Sequence, residues 1–277
     1  MDLGTKLMVS LLAIMIAFMI VTPFLPFYDP YGQNLAGSLV PIGGASFDGR
    51  LYLLGSDTLG RDILSRLALA GQVSTLIGLG AVSVSLVVGV FLGLVAGYFR
   101  GPLEAAIMGL ADLQLSIPRV LLLIAVSAIV GPSVANLALL LGLTSWVSYG
   151  RVARGMTLSL REREFVLSAR TQGATAAWNI RKHLLPNVLP QMLIVASYEF
   201  GQIVVMEASL SYLGLGVQPP LPSWGMMVSE GQSYLALAPH LAILPSIALF
   251  IMVAGLQFLS QAFTSEGDVT GAPQRTP

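Results

Sequence analysis

Apolar side chains gather into six long runs separated by polar stretches. A helix needs roughly 20 mostly apolar residues to cross the hydrocarbon of a bilayer, and residues 7–24, 73–98, 103–130, 134–150, 189–213 and 241–263 each come near or exceed that length. The pattern predicts an all-α polytopic membrane protein with about six transmembrane helices. Lys6 ahead of the first run has the form of a signal peptide, but the run ends in Thr22-Pro23-Phe24 with no small-x-small cleavage pattern and reads as an uncleaved helix. Between the first two spans, Asp29-Pro30-Tyr31-Gly32 and Pro41-Ile42-Gly43-Gly44 are turn chemistry. Thr58 is a candidate cap for a helix-like run that ends near Ala70, ahead of the second span. The chain then divides into a first helix with its N-terminus (1–26), a polar segment (27–72), a five-span core (73–263) interrupted by a charged loop at about 151–188, and a tail (264–277).

Composition supports a lipid environment. The chain is 55% hydrophobic and only 10% charged, against about 25% charged in ordinary soluble domains. A net charge of +0 offers no footprint for nucleic acid. Seven of the 14 basic residues, Arg151, Arg154, Arg161, Arg163, Arg170, Arg181 and Lys182, fall in the one charged loop. Short basic loops stay in the cytoplasm, which predicts this loop and both termini inside and the 28–66 and 214–239 segments outside. Arg50, Arg61 and Arg66 lie on the other side, accompanied by Asp48, Asp57 and Asp62.

The chain contains no cysteine, and its two histidines, His183 and His240, lie far apart, so no metal site and no Ser-His-Asp or Cys-His catalytic set is assigned. Its two lysines, Lys6 and Lys182, follow no glycine-rich loop, so the phosphate-cradling G-x-x-x-x-G-K-[ST] pattern is absent. Any ATP and magnesium used in its work must be bound by another chain.

Within the spans, Gly89, Gly93 and Gly97 repeat every four residues on one helix face. Such a stripe lets another backbone approach closely in lipid, whether from this chain or a second subunit, although glycine is also simply frequent in membrane helices. Glu104, Asp112, Glu199 and Glu207 sit in or near spans, where carboxylates face a partner or a wet cavity. No basic residue at helical spacing completes a proton relay beside them. Glu104 is placed at the cytoplasmic entrance, the others at interfaces or along a wet path.

The charged loop is the most informative segment. It reads Arg161-Glu162-Arg163-Glu164-Phe165-Val166-Leu167-Ser168-Ala169-Arg170-Thr171-Gln172-Gly173-Ala174, then Trp178-Asn179-Ile180-Arg181-Lys182-His183-Leu184-Leu185-Pro186-Asn187. The pattern predicts a short amphipathic helix, a glycine break at Gly173 and a second helix, with Pro186 and Pro190 marking the return to the membrane. Periodicity alone leaves two readings open, a helix that docks in a groove of a soluble partner or a solvated connector.

This wording resembles the EAA loop of binding-protein-dependent ABC importer permeases, with Ala169, Gly173 and Leu185-Pro186 at the family's spacing, and with Leu167 and Ser168 where the family usually has Glu and Ala. Gly55-Ser56-Asp57-Thr58-Leu59-Gly60-Arg61-Asp62-Ile63-Leu64-Ser65-Arg66, Arg181 to Asn187, Glu207-Ala208-Ser209-Leu210-Ser211-Tyr212-Leu213-Gly214-Leu215-Gly216-Val217-Gln218-Pro219-Pro220 and Pro222-Ser223-Trp224-Gly225 are similar to the C-type permease of the dipeptide/oligopeptide/nickel branch. The resemblance, carried by these separated motifs, extends over most of residues 55–262.

The resemblance implies a subunit that pairs with a homologous B-type sister permease in a bacterial inner membrane. Two ATPase subunits would bind below, and a periplasmic or lipid-anchored substrate-binding protein above. It implies ATPase coupling through Glu164, Ser168, Ala169, Arg170, Gly173, Ala174, Leu185 and Pro186. Asp57, Arg61, Asp62, Gln218 and Trp224 are candidate binding-protein contacts, with packing of the Pro-rich loop over helix ends as the structural alternative. Short peptides are the implied cargo, and the same branch includes nickel chelates, glutathione and sugars. An ion-coupled secondary transporter using Glu199 and Glu207 is the rival from another class, and a membrane assembly factor a third. No internal repeat of the kind common in secondary transporters is visible in the sequence.

Overall fold

The structure, a computed structural model, describes residues 3–269, with side chains described through residue 262. Residues 270–277, most of the expected tail, lie outside the described residues. Ten α-helices run in the order α1 (Leu3–Val21), α2 (Ile63–Phe99), α3 (Gly101–Ser116), α4 (Arg119–Val130), α5 (Val134–Leu160), α6 (Glu164–Thr171), α7 (Ala176–Asn179), α8 (Leu185–Tyr212), α9 (Trp224–Gln232) and α10 (His240–Val269). Among the described residues, extended pairing is limited to the isolated bridges Ala45–Leu51 and Ser56–Asp62.

Among the described residues, four helical stretches are long and apolar enough to cross a membrane: 3–24, 63–99, 176–212 and 240–262. A fifth is counted if the bent pair α3–α4 forms one span. The sequence pattern predicted six. The remaining predicted span falls on α5, which is 27 residues long but carries Asn136, Thr144, Ser145, Tyr149 and Arg151 among its apolar residues.

The pattern treated 103–130 as one continuous helix, whereas α3 and α4 meet at 90°. The cause is local. A residue before proline is driven out of the helical region by the ring's Cδ, and Ile117 is extended (φ −99°, ψ 128°) ahead of Pro118, which stands immediately before α4.

The second helix begins at Ile63, ten residues before the predicted span. The run ending at Ala70 and the second span are therefore one 37-residue helix, about 55 Å long at 1.5 Å per residue. The expected cap, Thr58, is not the cap. Its carbonyl accepts from Ser38 Oγ at 2.8 Å, while the Asp62 carboxylate accepts from Ser65 N (2.8 Å) and Ser65 Oγ (2.6 Å), satisfying the free donors of the first turn.

α2 is the axis of the bundle. Its early part packs with α1, α9 and α10 around Leu12, Met19, Leu67, Trp224 and Met252. Its middle packs with α4, α5 and α8 around Ile77, Leu123, Leu141 and Ile203. Its end meets α5, α6 and α8 around Val90, Leu94, Tyr149, Val166, Leu184 and Met192.

The glycine stripe sits at the α2–α5 contact within this chain. A Cβ on Gly89 would come within 2.5 Å of the Trp146 carbonyl oxygen, and one on Gly93 within 2.5 Å of the Gly150 carbonyl oxygen. A Cβ on Gly97 would meet Thr157 Cβ at 2.7 Å. Gly142 on α5 answers from the other side, with the Ala81 carbonyl oxygen 2.8 Å from its would-be Cβ. The two backbones touch, and no larger residue fits without moving one of them.

Gly93→Val should therefore force α2 and α5 apart, at a cost of at least the roughly 1–3 kcal/mol typical of overpacking. Gly109→Ala, whose Cβ would meet nothing within 4 Å, serves as the control. Thermal unfolding of the detergent-purified protein, followed by tryptophan fluorescence, checks this: a lower midpoint for the valine variant and none for the control.

Candidate functional site

At one end of the bundle, α6, α7 and the start of α8 form an exposed elbow. Gly173 closes α6 as a left-handed turn residue (φ +86°). Around it Gly173 N donates to Arg170 O and Ala174 N to Ala169 O, both at 3.0 Å, the paired bonds of a Schellman ending. The predicted helix, glycine break and second helix are all present, and Thr175 Oγ1 caps the second by accepting from Trp178 N at 3.3 Å. The backbone widens to a π turn over Ile180–Leu184 just before Pro186, where the pyrrolidine ring would otherwise meet the carbonyl four residues back.

Of α6, only Val166 is buried. It sits in the apolar cluster of α2, α5 and α8 and anchors the helix to the bundle. Arg161 fastens the approach to α6 by donating to the carbonyls of Tyr98 and Gly97 at the end of α2 and pairing with Glu162 at 3.0 Å. Glu164, Ser168, Arg170 and Gly173 are exposed, and Ala169, Ala174 and Leu185 partly so, with Pro186 exposed at the first turn of α8. The structure thus brings the predicted coupling residues to one end of the molecule. Beside Gly173 lies a concavity of about 670 Å³ lined by Phe165, Ser168, Gln172, Thr175, Trp178 and His183 among others. His183 touches Phe165 and Trp178 edge-on, with ring centroids 5.4 and 5.0 Å apart.

Arg151 and Arg154, read from sequence as part of the loop, stand instead on α5, which continues ten residues past the predicted end of its span. They pair across to α3: Arg154 Nε lies 2.6 Å from Glu104 and Arg151 2.5 Å from Asp112. These partners lie 50 and 39 residues away in sequence, beyond the reach of any helical-spacing argument. Nearer the α3–α4 break, Gln114 donates to the Thr144 carbonyl at 2.7 Å and accepts from Trp146 Nε1 at 2.9 Å, while Arg119 donates to Ser145 Oγ. The bend is thereby stitched to α5.

Glu207 is fully buried and accepts from Ser74 Oγ on α2 (2.8 Å) and Ser211 Oγ on its own helix (2.7 Å). It ties α8 to α2. Glu199 is also buried, with one carboxylate oxygen lacking a hydrogen-bond partner.

At the opposite end, the binding-protein candidates divide by burial. Asp57, Asp62 and Trp224 are interior, so surface contact is corrected for these three. Trp224 Nε1 donates to the Leu67 carbonyl at 3.0 Å, and Asp62 is the helix cap described above. Asp57 accepts from the backbone N–H of Leu59 and Arg61, each at 2.9 Å, and from Arg61 Nε at 2.6 Å. Gln218 is exposed and Arg61 partly so.

Sequence reasoning missed the centre of this cluster. The Arg66 side chain, only 1% exposed, lies 3.5 Å from Asp57 and 3.1 Å from Glu230, which is 41% exposed on α9. Arg61 also approaches Glu230, at 3.7 Å. Two arginines and two carboxylates thus bind the polar segment, the first turn of α2 and α9 together. The available signal was that Arg61 and Arg66 fall in a segment expected outside, against the usual placement of cations, with Asp57 beside them. Removing one partner of a buried ion pair typically costs about 3–5 kcal/mol, so Asp57→Ala should destabilise strongly, whereas Glu230→Gln, at a half-exposed partner, should cost much less. Denaturation midpoints of the two variants give the comparison, and equal losses would contradict the network drawn here.

Residues 89–264 match the family described as binding-protein-dependent transport system inner membrane component. The chain is 39% identical over 208 residues to the glutathione transport system permease protein GsiD of Pectobacterium atrosepticum, covering 75% of this chain and 69% of that protein. It is 32% identical over 254 residues to the dipeptide transport system permease protein DppC of Alkalihalophilus pseudofirmus, covering 92% and 83%. A solved chain from an inward-facing conformation of the MetNI methionine ABC transporter shares the fold, with TM-score 0.55, 20% identity, and coverage of 73% of this chain and 95% of that one. The matched segment takes in the glycine contact, the elbow and most of α10, and the chain belongs to the family of binding-protein-dependent transport system inner membrane components, the permease subunits of ABC importers.

Proposed function

We propose that this chain forms half of the membrane channel of an ATP-driven importer of short peptides, pairing with a homologous B-type sister permease in a bacterial inner membrane. Two ATPase subunits lie on the cytoplasmic side, one of them seating the α6 elbow in a cleft, and the pair supplies the ATP and magnesium site that this chain's sequence lacks. A substrate-binding protein delivers cargo to the opposite end, where the rim near Arg61 and Gln218 is the accessible surface. Both termini lie in the cytoplasm, as the concentration of cations in residues 151–182 supports.

The observation that carries this reading is the elbow itself. A short, nearly fully exposed helix is held to the bundle by one buried side chain, Val166, and turned by Gly173 into the helix that leads into the membrane. Closure of the ATPase pair on ATP pushes α6, and the push passes through Val166 and Arg161 to α2 and through the elbow to α8. A ligand on the partner thereby biases a two-state equilibrium in the spans.

The dipeptide permease relative supports a peptide cargo. Glutathione, itself a tripeptide, is the second reading, favoured by the 39% identity to the glutathione permease.

Gentle purification of the tagged chain from its native membrane, with mass spectrometry of its companions, tests the assembly: a sister permease and one or two P-loop ATPases should be recovered. Gly173→Val tests the coupling. Nothing lies within 4 Å of a Cβ at this position, so the variant acts through the left-handed backbone alone, at roughly 1–2 kcal/mol. Peptide uptake per ATP hydrolysed should fall tenfold or more while hydrolysis persists, and unchanged uptake would sink the assignment.

A further inference from the structure

The elbow carries more positive charge than its own contacts use. Among the described residues, Arg163, Arg170, Arg181 and Lys182 are exposed and have no ion-pair partner, whereas Arg161 is neutralised by Glu162. Glu164 is the single unpaired carboxylate of the same stretch. Between these charges the surface is apolar: Phe165, Leu167 and Trp178 are 43%, 39% and 46% exposed, and Phe165 and Trp178 border the 670 Å³ concavity beside Gly173. Leu167 occupies the place where an acidic residue would be expected from the EAA pattern, so this elbow offers an apolar group and no carboxylate there.

Membrane topology accounts for cations in a cytoplasmic loop, but not for three exposed large apolar side chains, two of which, Phe165 and Trp178, border a cavity. A cluster of that kind rimmed by charge marks a protein contact. We propose that this surface selects its ATPase by chemistry: the partner presents an acidic rim to Arg163, Arg170, Arg181 and Lys182, and seats an apolar side chain in the concavity between Phe165, Trp178 and His183. The inference rests on the α6 elbow being the ATPase contact and adds the character of the surface that it accepts. An ATPase with a basic rim would be rejected by like-charge repulsion, which keeps this permease from recruiting the engines of other importers.

The test uses the whole transporter, purified with its ATPase subunits. Water-soluble carbodiimide joins an amine directly to a carboxylate in contact with it. The expected product is a cross-link between Lys182 and an Asp or Glu of the ATPase, absent in Lys182→Arg. The double variant Arg170→Glu/Arg181→Glu should weaken ATPase binding at least tenfold at low salt and flatten its dependence on ionic strength. Trp178→Ala should weaken binding with the salt dependence unchanged.

If the ATPase stays bound while Lys182 finds no carboxylate on it and charge reversal changes neither affinity nor salt slope, the acidic-rim proposal is overturned and the coupling role stands. If the cations act only through anionic lipid, seen as a charge-reversal effect that vanishes in zwitterionic nanodiscs, the proposal is likewise overturned. If no ATPase accompanies the intact chain, the coupling reading itself falls.

Discussion

The fold depends on one intimate contact, the face-to-face approach of α2 and α5 along Gly89, Gly93 and Gly97. In lipid, apolar side chains gain little by leaving one hydrocarbon surface for another, so association rests on close packing and interhelical hydrogen bonds. Here the glycines let main chain meet main chain, and the carbonyls of Trp146 and Gly150 occupy space that any side chain would need. That contact aligns the lower half of α5 so that Arg151 and Arg154 reach Asp112 and Glu104 on α3. It also forms the floor, with Tyr149 and Ala153, on which Val166 rests. Helix packing, the α3–α5 ion pairs and the position of the elbow are consequences of one stripe of small residues.

The two ends of the bundle are built on opposite plans. At the elbow, one apolar anchor and the carbonyl-binding Arg161 hold a helix whose remaining surface faces water. The restraint fixes position and leaves the outer face free. At the other end, charge is buried rather than displayed: Arg66 and Asp57 are enclosed and only Glu230 reaches solvent to a substantial degree. Each member needs its neighbours, since an isolated buried charge is costly, so the polar segment, α2 and α9 are obliged to sit together.

Much of this was legible in the residues, and the limits have physical causes. The elbow could be read because helix endings are written locally: Gly173 supplies the left-handed turn and Thr175 the cap. The glycine stripe could be seen, but not which helix it meets, since spacing reveals a face and never the partner. The α3–α4 break escaped because 103–130 was taken as one span despite Asp112, Gln114, Ser116 and Arg119 around Ile117-Pro118, and proline's effect on its predecessor was there to be used. Asp57 and Trp224 were candidates for binding-protein contact because they lie in segments expected outside, with packing over helix ends as the alternative for the Pro-rich loop; a backbone carbonyl for the indole and a buried arginine for the carboxylate took them inside. The pairings of Arg154 with Glu104 and of Arg66 with Glu230 join segments distant in sequence, and only the packed bundle brings them together.

The unequal distribution of proline among the long helices carries a mechanical consequence. α2 contains none and runs unbroken for 37 residues, while α8 and α10 hold Pro190 and Pro245 in their interiors. A proline removes one backbone hydrogen bond and softens its helix against bending. Locked to α5 by touching backbones, α2 is the stiff strut of the molecule, and it has the buried guanidinium of Arg66 in its first turn and Arg161 on its final carbonyls. Flexure belongs to α8 and α10. A load applied at the elbow reaches the far cap along α2 with little loss, while the helices around it bend.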